Sequence, residues 1–341
     1  MALGIQGVGR VRKYALTFLK LSVAVLVVFY LFRSGWLTKG TFLNLSKRDN
    51  LPFIIISCLF FIIAQMLCTV RLVLLLGTIT FRLPFSKVFK LVLIGNFFNT
   101  VIPGMVGGDV VKGFYLVKSH EQKRIQSAGI VIMDRILGFL ALTFIGGLSL
   151  AYLLWQRNTS LDLHLYESYI VLAVIASVFC LFGVFFIFGR NPRFRDKMKA
   201  LFVTLFRRSL FYDLAESFGA LVKHHRILIY SFCLSILIQL TSLGGLLILC
   251  NIVSGAFPSV VTLTAVSSVV ILLGVLPVTP GNIGWTELIA AFGWSAVGSN
   301  AGAEIFFYWR LVTVLCSIPG GLFYLTFDTK WISVQKGEEF S

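Results

Sequence analysis

Charge is scarce in this chain. Only 13% of its 341 residues are Asp, Glu, Lys or Arg, against about 25% in a typical soluble domain. Acids are the scarcer sign, 14 against 30 Lys plus Arg, so the formal net charge is 30 − 14 = +16. Hydrophobic residues reach 57% and the mean hydropathy is +0.91. Too few polar side chains remain to cover a soluble surface. A soluble enzyme is a poor reading, and so is a nucleic-acid binder, despite the basic balance.

Other signatures are lacking too. The six cysteines, Cys58, Cys68, Cys180, Cys233, Cys250 and Cys316, each sit in an apolar run, and none forms a CxxC pair. They read as small buried hydrophobes rather than a disulfide scaffold. His120, His164, His224 and His225 lie in or beside expected loops, so no zinc site is expected. There is no Walker loop, dinucleotide fingerprint or nucleophile–base arrangement, so no cofactor is implied and an ATP-driven pump is disfavoured. Arg10, Arg12, Lys13 and Lys20 precede an apolar stretch at 21–32, but Arg33, Ser34, Gly35 and Trp36 follow it in place of a small-x-small cleavage site. A retained first helix is expected, not a signal peptide.

What the chain has is long apolar runs. A helical span needs about 20 residues. Six segments qualify: about 14–33, 51–76, 125–154, 167–189, 226–252 and 303–327. Two further apolar regions are interrupted. One, about 85–118, breaks at Asn99-Thr100-Val101-Ile102-Pro103-Gly104. The other, about 258–299, breaks at Pro277-Val278-Thr279-Pro280-Gly281-Asn282. Proline removes a backbone donor and glycine loosens a helix, so each region should split into two arms. Arms of about 15 residues suit re-entrant hairpins that reach mid-bilayer at 1.5 Å per residue.

Loop charge sets the orientation. Residues 190–226 carry nine Lys or Arg against Asp196, Asp213 and Glu216, whereas 251–258 and 298–302 carry no charge. The basic loop should be cytoplasmic, and so should Lys112 to Arg124. Loop 34–50, with Lys39, Lys47 and Arg48, weakly opposes this assignment. Full spans and hairpins have the same parity, so both place the termini inside. The expected fold is an all-α polytopic membrane protein in one integral domain, 1–341. It has six full transmembrane helices plus two broken, re-entrant hairpins, with the N-terminus and C-terminus in.

The breaks resemble each other. Pro103-Gly104-Met105-Val106-Gly107-Gly108-Asp109 and Pro280-Gly281-Asn282-Ile283-Gly284-Trp285-Thr286-Glu287 are both PGxxG, with a carboxylate six or seven residues after the proline. Composition alone predicts roughly 0.06 such matches per chain. Arg135 lies 32 residues after Pro103 and Arg310 lies 30 after Pro280, each in an apolar helix followed by a double glycine, Gly146-Gly147 and Gly320-Gly321. Two repeats follow, about 51–154 and 226–327. The charge argument makes them inverted, an arrangement that points to a transport site near the midplane.

A charge in the bilayer core costs at least about 2.5 kcal/mol on insertion scales. Arg135 and Arg310 therefore need a task or a partner. One reading has them hold a lipid phosphate, which a guanidinium binds in a bidentate way. The other pairs each with a carboxylate near in sequence, Asp134 and Glu304. Asp109 and Lys112, at i and i+3, can pair on one helix face; alternatively Lys112 adds a phosphate contact and Asp109 takes up protons. Glu287 has no basic neighbour in sequence, and as a lone carboxylate it is a candidate for proton coupling. Asp134 is a third coupling candidate. Asn96, Asn99, Asn282 and Thr286 either satisfy backbone freed by the breaks or bond a headgroup. Gly107, Gly108 and Gly284 would let tip amides approach an anion. Gln65, Arg71 and Gln239 read as interhelical or interfacial contacts.

The run Gly95 to Gly104 with Gly107-Gly108-Asp109, the pair Asp134-Arg135, and Pro280 to Gly284 with Glu287 together resemble the lysylphosphatidylglycerol synthase transmembrane (flippase-like) family, from about residue 15 to 327. The best-understood members of that family move aminoacylated phosphatidylglycerol across the bacterial membrane; others are linked to polyprenyl-phosphate sugars or hopanoid-type lipids. The sequence holds no counterpart of the soluble aminoacyl-transfer domain of the fused members. The resemblance therefore implies translocation of an anionic or phosphate-bearing lipid by alternating access, in the bacterial cytoplasmic (inner) membrane. The expected partners are membrane lipids and a separate lipid-modifying synthase or glycosyltransferase, with no nucleic acid. The rival readings are a membrane transferase using Asp109 and Glu287, a non-transporting partner of a glycosyltransferase, and a small-solute transporter.

The orientation is testable in a cysteine-free background. An impermeant maleimide should label Ser209→Cys only from the cytoplasmic face and Ala256→Cys only from the outside. The reverse pattern would invert the topology.

Overall fold

The computed structural model describes residues 29, 33, 39–102, 107–119, 123–157, 224–276, 278–279 and 282–326. The expected helices at 14–33 and 167–189, most of the basic loop 190–226 and most PGxxG tip residues lie outside the described residues.

Among the described residues the chain is helical, with no strand. A short helix, Lys39–Ser46, and a 3-10 turn, Arg48–Asn50, lead into eight longer helices. These are α1 Leu51–Gly77, α2 Phe85–Val101, α3 Gly107–Ser119, α4 Arg124–Arg157, α5 His225–Ser254, α6 Val260–Leu273, α7 Trp285–Ser295 and α8 Gly302–Thr326. Four of them, α1, α4, α5 and α8, are long and apolar enough to cross a membrane. Large apolar side chains such as Leu59, Ile63, Leu315 and Leu325 stand exposed on them. An outward face of that kind suits lipid and not water.

Both interrupted regions split as expected. The helix α2 ends at Ile102, whose ψ of 135° is extended. The proline that follows forces this, because its ring clashes with a helical conformation in the residue before it. The second break resolves through Gly284, with φ of 79°, which turns the chain into α7. The four arms have 17, 13, 14 and 11 residues. At 1.5 Å per residue they are about 17–26 Å long, shorter than the 30 Å hydrocarbon core.

Each repeat carries most of one core cluster, to which the other repeat adds Leu228 in the first and Ile145 in the second. Leu72, Leu76, Leu91, Leu116 and Ile130 join α1 to α4, and Leu246, Leu263, Ala290 and Ile305 join α5 to α8. The repeats then interlock reciprocally. The closing helix α4 packs on α6, the first hairpin arm of the other repeat, and the closing helix α8 packs on α2. The double glycines make this possible. A Cβ on Gly146 would lie 2.5 Å from the Ser268 Cβ, and one on Gly320 would overlap the Leu93 carbonyl oxygen. The seam between α1 and α5 is close as well, with Ser57 Oγ donating to the Gly245 carbonyl at 3.0 Å.

The cysteines are less uniform than expected. Cys250 is buried, Cys233 is exposed on an apolar helix, and Cys58, Cys68 and Cys316 are between the two. A thiol is apolar enough to face acyl chains, so burial was not required of it.

Gly320→Leu should destabilise the protein by about 1–3 kcal/mol, the usual cost of overpacking. Gly113, which has nothing within 4 Å of an added Cβ, should accept Ala without loss. Thermal unfolding of both variants in detergent checks this; equal melting temperatures would refute the interlocked packing.

Candidate functional site

The first hairpin places Asp109 as the third residue of α3, and Lys112 follows one turn later. Lys112 Nζ donates to Asp109 Oδ1 at 2.8 Å. The other carboxylate oxygen accepts from Arg135 Nε, on the closing helix α4. One carboxylate thus faces two cations. The Arg135 guanidinium also lies 5.9 Å from the Phe139 ring centroid, one turn along α4.

The second hairpin repeats the design. Glu287 is the third residue of α7, and it pairs with Arg310 on the closing helix α8. Arg310 Nη2 reaches the second carboxylate oxygen at 3.1 Å and the Asn282 carbonyl at 2.6 Å, and it also donates to Thr286 Oγ1. Glu287 is only 2% exposed. Arg135 and Arg310 each sit about a third of the way along their span, 11 of 29 steps in one and 8 of 23 in the other.

The carboxylate partners are not the sequence neighbours. Asp134 pairs instead with Arg71 of α1, at 2.7 Å. Arg71 Nη1 then donates to Ser235 Oγ of α5, also at 2.7 Å. Glu304 Oε1 lies 2.7 Å from the Tyr308 hydroxyl. Glu287 is not a lone carboxylate either. In each case a residue beside the arginine in sequence points around the helix to another neighbour, while the hairpin delivers the carboxylate across space.

Each hairpin is stapled by an asparagine. Asn99 Oδ1 accepts the Gly108 N–H at 2.8 Å, and Asn282 Nδ2 donates to the Gly274 carbonyl. These bonds satisfy backbone freed by the breaks. One of the three tip glycines expected to offer its amide to an anion, Gly108, is bonded in this way. A Cβ there would overlap the Gly95 carbonyl. Gly107 and Gly108 let the arms touch, and Gly284 supplies a positive φ.

Between the repeats is a cavity of about 380 Å³. Its charged wall is Arg71, Asp109, Lys112, Asp134, Arg135 and Arg310. Gln65, Asn96, Asn99, Thr100, Gln239 and Thr313 add neutral polar groups. Of these, Gln239 is an interhelical contact, bonding the Gly138 carbonyl at 3.2 Å. Asn282, Gly284 and Glu287 are not on the wall; Glu287 sits behind Arg310. Arg71, expected as an interhelical or interfacial contact, makes interhelical contacts and also faces the cavity. Its signal was already present, since it is the single charge within an otherwise apolar α1.

These pairings predict a specific coupling. Arg310→Ala leaves Glu287 buried without its partner, which should cost about 3–5 kcal/mol. Removing both side chains should recover most of that. Arg310 and Glu304 should be additive within about 0.5 kcal/mol. Unfolding of the two double-mutant cycles separates the pairings, and strong coupling to Glu304 would contradict this one.

The lysylphosphatidylglycerol synthase TM region family matches residues 17–320. A UPF0104 membrane protein of Methanothermobacter thermautotrophicus is 23% identical over 304 residues, covering 82% of this chain and 84% of its own length. The matched stretch takes in both hairpins, both arginines and all the cavity walls. The chain is a multi-pass membrane protein that belongs to the lysylphosphatidylglycerol synthase TM region family.

Proposed function

We propose that the protein is a lipid translocase for anionic or phosphate-bearing lipids of the cytoplasmic membrane. The observation that carries this reading is the cavity between the repeats, which gathers four cations in an apolar helical body. Its volume is at the low end of the roughly 300–1,000 Å³ range of ligand sites. That is the size of a headgroup, with the lipid chains left in the bilayer. Guanidinium and ammonium groups are the natural ligands of a phosphate oxygen.

The arm lengths support re-entrant hairpins. The reciprocal packing of each hairpin on the other repeat's closing helix supports a two-fold arrangement. With the basic loop inside, the two repeats are inverted, and rocking one against the other would open the cavity alternately to each leaflet. The transferase reading has less support. Asp109 and Glu287, its candidate acids, are both paired with guanidinium groups.

The test is transbilayer movement of fluorescent phosphatidylglycerol in liposomes. The protein should accelerate it at least about tenfold over protein-free liposomes. Asn96→Trp, which fills the cavity, should abolish the acceleration in a variant that still folds. No acceleration, or full activity in the filled variant, would refute the reading. Covalently altered lipid in the same vesicles would favour the transferase.

A further inference from the structure

The two repeats match in their ion pairs but not in their charge. Around Glu287 the described residues place one cation, Arg310. Around Asp134 there is one, Arg71. Around Asp109 there are two, Arg135 and Lys112. Among the described residues of this cluster, four cations against three carboxylates leave +1, and the surplus belongs to the first repeat. The position three residues after the carboxylate shows the difference. It is Lys112 after Asp109, and the fully buried Ala290 after Glu287.

The surplus faces the cavity. Asp109, Lys112 and Arg135 all line it. In the second repeat Arg310 lines it, but Glu287 does not. The same wall carries Asn96, whose amide nitrogen is shut off from solvent and has no hydrogen-bond partner among the described residues. A net charge in an apolar body is costly unless it is compensated. A single negative charge brings this cluster to neutrality. A dianion overshoots to −1. A zwitterion leaves +1 and adds a cation beside Lys112 and Arg135, and like charges repel there.

We infer that the cavity binds one monovalent anion, a phosphodiester whose headgroup is otherwise uncharged, at Lys112 and Arg135 of the first repeat, while the Arg310–Glu287 pair secures the second. This rests on the translocase reading for the claim that the anion is a lipid, and it narrows that reading to one charge class. The anion competes with Asp109 for the same two cations. Asp109 is therefore the group that sets how much negative charge the site accepts.

The experiment measures binding to the full-length protein by native mass spectrometry, using lipids with identical chains. Phosphatidylglycerol carries one negative charge, phosphatidylcholine none, phosphatidic acid up to two, and lysylphosphatidylglycerol is net positive. Wild type should favour phosphatidylglycerol over phosphatidylcholine by about tenfold or more, the scale of one charge-assisted hydrogen bond. Lys112→Met should bring the two close to parity. Asp109→Asn should shift the preference toward phosphatidic acid. A photoreactive headgroup should label peptides of 107–157 more strongly than those of 285–326.

Equal binding of the zwitterion by wild type, a preference that survives Lys112→Met, or labelling centred on 285–326 would each overturn the inference. The two variants guard against one failing to fold. Soluble glycerophosphoglycerol is the control for source. If it displaces the lipid at equal concentration, the site takes a solute anion and the lipid part fails. Selective binding without accelerated transbilayer movement would leave the charge site standing and refute the translocase reading alone.

Discussion

A guanidinium and a carboxylate facing each other in an apolar interior each offset the cost of the other's being there. Remove one, and the survivor is an uncompensated charge where charge is most expensive. This protein uses that constraint twice in the same way. A short hairpin arm carries the carboxylate, and the helix that closes the repeat carries the arginine, giving Asp109–Arg135 and Glu287–Arg310. Ionic pairing ties each of these arms to a long helix, in addition to their apolar packing. Because each closing helix also packs on the other repeat's hairpin, the two pins hold a single interlocked body with a cavity at its centre.

The cavity follows from the same arrangement. The cavity lies between the two hairpins and the long helices, and Asp109, Arg135 and Arg310 of the pins line it with charge. The third pair, Arg71–Asp134, reaches across to Ser235 of the second repeat and completes a polar belt around that space. Symmetry ends at Lys112. Two hairpins supply two pins, and the first alone adds a lysine, Lys112, beside its carboxylate.

Much of this was legible in the sequence because the constraints act locally. Proline dictates the extended residue before it, so the breaks could be placed. Charge is rare enough in apolar helices that Arg135 and Arg310 stood out. The double glycines were visible as a repeated feature, but their purpose was not. Gly146 meets Ser268 and Gly320 meets Leu93, contacts between repeats that no local pattern encodes. The choice of ion partners failed for the same reason. Asp134 and Glu304 are close to the arginines along the chain, yet the hairpin fold brings residues 26 and 23 positions away into contact instead. The tip glycines Gly107 and Gly108 also let the two arms touch, a contact that the sequence pattern does not encode.

The central claim is that paired hairpin carboxylates frame a headgroup-sized anion site on the first repeat. It is tested most directly by an electron cryo-microscopy structure in nanodiscs made with a monoanionic phosphodiester lipid. The expected result is phosphate density in the cavity against Lys112 and Arg135, with Glu287 still on Arg310. Headgroup density confined to the outer helix faces, or Asp109 unpaired while the cavity is empty of lipid, would contradict it.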